Sequence, residues 1–90
     1  MSTKIVHRIL PAQCRAGRSL LDITQTELAL AAELGLSTVV DFERERRQVS
    51  QEAVAAIRNA LERAGVEFMD EDGGGAGVRL RKGSKQKSHK

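Results

Sequence analysis

Start and stop signals for short helices recur along the first two thirds of the chain, and they constrain the fold more than any other feature. Pro11 suits the first position of a helix, where no backbone N–H donor is needed. Thr24 and Glu27 have the spacing of a capping box, and Ser50 is a typical N-cap residue. Gly65 is typical of the residue that follows a helix C-terminus. The sequence therefore predicts a mainly α domain of short helices.

Apolar residues within these segments recur at intervals of three or four, which places them on one face of each helix. We predict helices over Pro11–Leu21, Gln25–Ala32, about Leu36–Arg44 and Gln51–Ala64. The residues expected to face inward are Cys14, Leu28, Ala32, Val39, Phe42, Val54, Ile57 and Leu61.

The ends of the chain differ in character from this helical part. Val66, Phe68, Val78 and Leu80 alternate with polar residues on either side of a glycine-rich, acidic loop, which predicts a β-hairpin. For residues 1–10 a short strand and an irregular helical turn both remain open. We expect an N-terminal arm over 1–10, a helical domain over 11–64, a hairpin over 65–82 and a disordered basic tail over 83–90.

Composition argues against several functional classes. Phe42 and Phe68 are the only aromatic residues, whereas proteins that read single strands or RNA stack bases on aromatic side chains. Cys14 has no cysteine partner, and His7 and His89 are far apart in sequence, so we expect no disulfide, metal or cofactor. No catalytic set of nucleophile and base can be assembled. No apolar run approaches the ~20 residues of a membrane span, so we expect no membrane contact and a cytoplasmic location.

Charge is unevenly distributed along the chain. The segment from Arg79 to Lys90 carries six basic residues and no acidic one, whereas residues 1–78 carry nine basic and twelve acidic residues. The formal net charge of +3 therefore comes from the C-terminal segment. Any basic surface on the helical part must be local.

The segment QTELALAAELGLSTVVDFERERR, from Gln25 to Arg47, resembles the Cro/cI-like (XRE) family of bacterial helix-turn-helix regulators. The ending from Gly65 to Arg81 resembles that of a common small subgroup of these regulators. The likeness extends from about Pro11 to Lys82. It implies a lambda-repressor-like bundle of four to five helices that binds double-stranded operator DNA, commonly as a homodimer. The shared features are Gln25, Leu28-Ala29, Ser37-Thr38-Val39, Phe42-Glu43-Arg44 and Arg46-Arg47.

The resemblance also implies roles for individual residues. The third helix, about residues 36–44, would enter the major groove as the recognition helix. Gln25 would contact a phosphate at the start of the second helix, and Arg18 with Glu43 would brace the first helix against the third. The outward positions of the recognition helix would be Leu36, Ser37, Thr38 and Asp41, and the backbone contacts beyond it would come from Arg44, Arg46 and Arg47.

Two alignments of the turn before the recognition helix are possible. The family usually has glycine where the ungapped alignment places Glu33, and a Ser or Thr N-cap where it places Gly35. The alternative takes residues 35–37 as the turn and shortens the recognition helix by two residues. We prefer the ungapped alignment because it keeps Val39 and Phe42 inward. It predicts a left-handed backbone at Glu33, which costs about 1 kcal/mol.

The sequence thus predicts a non-enzymatic, sequence-specific DNA-binding transcription regulator, with repression as the expected mode, at the bacterial nucleoid. A fold does not fix a function, so the same scaffold could serve as a protein-interaction module such as an antitoxin. Leu30 and Leu36 at outward positions motivate that alternative. A third possibility is non-specific nucleic-acid binding through the basic tail.

Overall fold

The computed structural model describes residues 8–69 and 74–81. The predictions for residues 1–7, for the acidic loop residues 70–72 and for the tail 83–90 lie outside the described residues. The described part confirms a mainly α fold with a small antiparallel hairpin. Its elements are α1 (Pro11–Leu21), α2 (Gln25–Ala32), α3 (Leu36–Glu43), α4 (Gln51–Arg63), β1 (Val66–Met69) and β2 (Gly77–Leu80).

The helices begin where the capping signals predicted. The hydroxyl of Thr24 accepts a hydrogen bond from the Glu27 N–H at 3.0 Å, and the Glu27 carboxylate accepts one from the Thr24 N–H at 2.9 Å. The hydroxyl of Ser50 accepts from the Ala53 N–H at 3.1 Å. These bonds satisfy amide groups that the first turn of a helix leaves without partners.

Two helix ends were predicted one residue too far. The third helix stops at Glu43 instead of Arg44, because Arg44 has φ −97° and ψ 2° and Glu45 takes the left-handed region at φ 56°. The Arg46 N–H then donates to the Asp41 carbonyl at 2.9 Å, which closes the helix in a Schellman-type turn. The fourth helix stops at Arg63, and Gly65 at φ 117° turns the chain toward β1.

One apolar core joins the helices, the hairpin and the end of the N-terminal arm. The residues predicted to face inward are all at most 9% exposed, which confirms them. Val66 of β1 is completely buried, and Ile9 is 3% exposed. Of the two conformations left open for the arm, its described residues, 8–10, adopt neither helix nor strand.

A buried glutamine fastens the hairpin to α1. The two strands pair from Val66 opposite Leu80 to Met69 opposite Gly77. Gln13, 6% exposed, donates its amide to the Met69 carbonyl at 3.1 Å and to the Gly77 carbonyl at 3.0 Å. The hairpin thus packs against α1 and α4, whereas α2 and α3 pack against each other and against the other helices.

Candidate nucleic-acid interface

The turn between α2 and α3 follows the ungapped alignment. Glu33 has φ 60° and ψ 42°, so a glutamate occupies the left-handed position. The Leu34 N–H donates to the Ala29 carbonyl at 2.9 Å, as in a Schellman motif. Gly35 is the N-cap of α3, and Leu36 and Ser37 are its first helical residues. The alternative that placed the turn at residues 35–37 is therefore wrong.

The outer face of α3 is formed by residues that lie opposite its buried side. Val39 and Phe42 are 0% and 6% exposed and face the core. Ser37, Asp41 and Arg44 follow one another at intervals of four and three, so they share the opposite face. We call these three residues the outer face of α3. Ser37 and Arg44 are exposed, whereas Asp41 is half-buried.

The start of α3 is open to an incoming anion. Gly35 offers no side chain to cap the first turn, and that turn contains no acidic residue. Amide N–H groups at a helix start carry a partial positive charge and are common donors to phosphate. Of the other residues predicted to face outward here, Leu36 is 46% exposed and Thr38 is half-buried.

A buried carboxylate, Glu43, ties α3 to α1. Its side chain is 1% exposed. Arg18 donates two hydrogen bonds to it, from Nε to Oε2 at 2.7 Å and from Nη2 to Oε1 at 2.9 Å. The Cys14 thiol donates to Oε2 at 3.1 Å. Arg15 donates to the backbone carbonyl of Glu43. The predicted Arg18–Glu43 brace is therefore present, and α1 contributes two further donors to it.

The second helix of the unit joins the same carboxylate. Gln25, the first residue of α2, donates its amide Nε2 to Glu43 Oε1 at 2.9 Å. Arg18 also donates to the Ile23 carbonyl at 3.1 Å, just before α2. The predicted phosphate contact Gln25 is thus held in place by the brace. We call Cys14, Arg18, Gln25 and Glu43 the Glu43 network.

Titration of the network follows from its hydrogen bonds. Burial alone would raise the pKa of Glu43, but hydrogen bonds from Arg18, Cys14 and Gln25 outweigh burial and lower it below the usual range. The hydrogen bond to Glu43 raises the pKa of Arg18. Burial, followed by the bond to Glu43, raises the pKa of the Cys14 thiol. Near neutral pH the network therefore contains a carboxylate, a guanidinium and a neutral thiol.

The basic segment after α3 contains two kinds of arginine. Arg44, Arg46 and Arg47 are all exposed. Arg47 Nε donates to Asp41 Oδ2 at 2.8 Å. The segment after α3 therefore turns back, and the Arg47 guanidinium lies against the outer face of α3. Arg44 and Arg46 pair with no acidic group in the described part of the chain. Sequence spacing did not reveal the Asp41–Arg47 pair.

Signals for the other missed contacts were partly present in the sequence. Cys14 and Arg18 are four residues apart, which puts them on the same face of α1. That spacing could have indicated that both reach Glu43. Nothing in the sequence pattern indicated that the Gln25 amide turns inward.

The described residues contain neither a metal-binding cluster nor a helix suited to a membrane. No group of three or more His, Cys, Asp and Glu side chains in residues 8–69 and 74–81 is arranged to hold a metal ion. None of the helices in that part of the chain is both long and apolar enough to cross a membrane.

A comparison with protein-family models agrees with this geometry. A comparison with curated proteins gives no match. A family model described as helix-turn-helix matches residues 15–68, from the first turns of α1 through nearly all of β1. The match covers more than half of the chain and contains the whole α2–turn–α3 unit. The chain therefore belongs to the helix-turn-helix family of the Cro/cI (XRE-like) type, a family of DNA-binding regulators.

Proposed function

We propose that the protein is a sequence-specific transcription regulator that inserts α3 into the major groove of double-stranded DNA. The observation that carries this proposal is the outer face of α3, which is polar and points away from the core. An α-helix fits the major groove, where each base pair presents a distinct pattern of donors and acceptors. The Glu43 network fixes α3 relative to α1 and α2, so this face is presented in a defined orientation.

The residues around α3 divide into base-facing and backbone-facing groups. Leu36, Ser37 and Thr38 lie in the first turn of α3, the part of a recognition helix that reaches base edges. Arg44 at the C-cap of α3 and Arg46 two residues later pair with no acidic group among residues 8–69 and 74–81, so both cations are suited to phosphates. Gln25 lies at the start of α2, and the N–H of its amide that does not bond Glu43 would donate to a phosphate.

The test is selection of genomic DNA fragments by the purified chain at about 150 mM salt, where non-specific electrostatic binding is weak. Sequencing of the retained fragments should show one enriched motif. An unenriched pool, with sequences like those of the input, would contradict the proposal.

Arg46→Ala tests the assignment of the backbone contacts. Loss of one phosphate contact should weaken binding to all duplexes alike and reduce the slope of log K against log salt by about 1. Arg79→Ala is the matched control, because Arg79 is 69% exposed on the hairpin, away from α3. An Arg46 variant with an unchanged salt slope would show that this residue does not touch DNA.

Binding as a homodimer is part of the proposal. The sheet has only two strands in the described part of the chain, so each strand has one edge that pairs with no other strand there, and such an edge can pair with a strand of a second copy. A two-fold dimer would place two α3 helices on half-sites about one helical turn apart. Sedimentation equilibrium should give a dimer mass, and the selected motif should be an inverted repeat.

We further propose that the protein represses transcription by covering a promoter, in the bacterial cytoplasm at the nucleoid, and catalyses no reaction. Removal of residues 83–90 should lower DNA affinity modestly and leave sequence preference unchanged. If this removal abolished binding, non-specific attraction by the basic tail would replace the proposal.

One observation favours a second candidate function, an interaction module such as an antitoxin. Leu30 of α2 is 74% exposed and could contact a protein partner. This function predicts a heteromeric complex and weak DNA affinity for the chain alone. A tight, monodisperse complex of the chain with DNA and no other protein would count against it.

A further inference from the structure

The ion pair between Asp41 and Arg47 lies on the surface that the proposed function turns toward DNA. Asp41 belongs to the outer face of α3, and Arg47 comes from the segment after the helix. Their side chains meet at 2.8 Å between Nε and Oδ2. Arg47 remains 52% exposed, whereas Asp41 is 20% exposed beneath it.

The Asp41–Arg47 pair contributes little to the free energy of unfolding. Because Arg47 is 52% exposed, water and salt screen the ion pair, and its formation must order two side chains, so it gains little. The core residues of α3, Val39 and Phe42, are buried on the opposite side of the helix. The main effect of the pair is therefore to hold the Arg47 guanidinium in one position on the surface of α3.

The contact with Asp41 uses only one edge of that guanidinium. Arginine has five N–H donors in a rigid, planar fork. The hydrogen bond to Asp41 occupies Nε, and the two terminal nitrogens form no hydrogen bond with the described residues. A fork already held in place loses less conformational freedom when it binds.

The pair also removes an obstacle on the outer face. An isolated carboxylate there would repel phosphates and could only accept hydrogen bonds, from the amino group of cytosine or adenine. Paired with Arg47, its charge is neutralised. Of the two paired side chains, the more exposed one is Arg47, which can only donate hydrogen bonds.

We propose that Arg47 is a specificity-determining residue that reads a guanine through its two terminal nitrogens, and that Asp41 is the positioning residue that holds it. Arginine bidentate to guanine O6 and N7 is the commonest specific contact in the major groove. This inference rests on the proposed function. It gives Arg47 a base contact in place of the DNA-backbone contact that the family resemblance implies. Arg46, which pairs with no acidic group in the described part of the chain, keeps its proposed contact with the DNA backbone.

The experiment compares DNA selection by the wild-type chain with selection by Arg47→Ala, Arg47→Lys, Asp41→Ala and the double variant Asp41→Ala/Arg47→Ala. Arg46→Ala is the matched control, because Arg46 is one residue away and has no acidic partner among the described residues. Affinities are then measured on the selected duplex and on duplexes with each base pair replaced. Thermal melting followed by circular dichroism checks that each variant is folded.

Arg47→Ala should reduce discrimination at one guanine position by about five- to 150-fold, the range for a bidentate base contact. Arg47→Lys keeps the charge without the fork, so it should lose the same discrimination and retain the salt dependence. Asp41→Ala should weaken preference at that same position, and the double variant should be no worse than Arg47→Ala. Arg46→Ala should lower affinity uniformly.

Three results would overturn the inference. Arg47→Ala could behave like Arg46→Ala, with a reduced salt slope and an unchanged motif, which would make Arg47 a backbone contact. Asp41→Ala could alter a different base pair from Arg47→Ala, which would make Asp41 a reader itself. A wild-type chain that selects no motif would remove the proposed function as well, and this outcome differs from the other two, in which the wild-type motif persists.

Discussion

Glu43→Ala would test whether one buried carboxylate holds the DNA-binding unit together. The Glu43 side chain is 1% exposed and accepts hydrogen bonds from Cys14, Arg18 and Gln25. Alanine would leave the Arg18 guanidinium, 22% exposed, without its counter-ion. It would also leave the thiol and the amide without their acceptor.

The expected loss of unfolding free energy is large for a small domain. Removing one partner of a buried charge pair costs about 3–5 kcal/mol, because the remaining charge is buried without a counter-ion. Arg18 keeps some contact with water, so we expect about 3 kcal/mol, near the lower end. Small domains have a total stability of about 5–15 kcal/mol, so the variant should retain a diminished but measurable transition.

Urea unfolding followed by circular dichroism measures this loss. Glu67→Ala is the matched control, because Glu67 pairs with Arg79 at 2.7 Å on the surface of the hairpin, with side chains 36% and 69% exposed. An exposed pair of this kind contributes less than about 1 kcal/mol. If Glu43→Ala cost no more than Glu67→Ala, the Glu43 network would not be a structural brace.

The same residue sets a pH dependence with a defined sign. Because the pKa of Glu43 is lowered in the folded state, its contribution is fully present above the unfolded pKa. That contribution is lost as pH falls through the folded pKa. The stability difference between wild type and Glu43→Gln should therefore be largest near neutral pH and shrink below about pH 4. A difference that grew in acid would contradict the assigned sign.

Three further substitutions or modifications test other parts of the fold. Glu33→Gly removes the steric cost of a left-handed backbone at φ 60° and should stabilise the protein by about 1 kcal/mol. The melting temperature should then rise by several degrees. A fall would show that the glutamate side chain contributes to stability. Leu61→Ala empties a completely buried position and should cost about 2–5 kcal/mol in urea unfolding; a far smaller loss would mean that α4 packs differently. Cys14 should react with a thiol reagent only after unfolding, because burial raises its pKa and blocks access; rapid labelling of the native protein would contradict this.

Local chemistry explains why most of the helical fold could be predicted from the sequence. The capping box of Thr24 and Glu27 involves residues three apart, and so does the cap of Ser50. Buried faces follow from a fixed helical period, which placed Val54, Ile57 and Leu61 correctly. The error at the end of α3 arose because its terminal hydrogen bonds depend on the left-handed residue Glu45, which no pattern marked. Gly65, which the sequence did mark as following α4, has a positive φ of 117°, and only the last helical residue before it was placed one position too far.

Contacts between side chains distant in sequence could not be predicted in the same way. Gln13 bonds carbonyl groups 56 and 64 residues further on, and Gln25 bonds a carboxylate 18 residues away. Polar residues at such positions look like surface residues in a hydropathy pattern. Only the three-dimensional arrangement shows that Asp41 forms an ion pair with Arg47. In the candidate interface Asp41 therefore acts on Arg47 and not directly on DNA.

Affinity cleavage tests most directly whether the outer face of α3 lies against DNA. A DNA-cleaving reagent would be attached to Ser37→Cys in the folded protein, where Cys14 is buried, and the complex with selected DNA would be mapped at nucleotide resolution. Arg79→Cys on the hairpin is the control. We predict cuts within each half-site from position 37 and none there from position 79. Cuts confined to the control, or absent from both, would contradict the docking of α3 in the major groove.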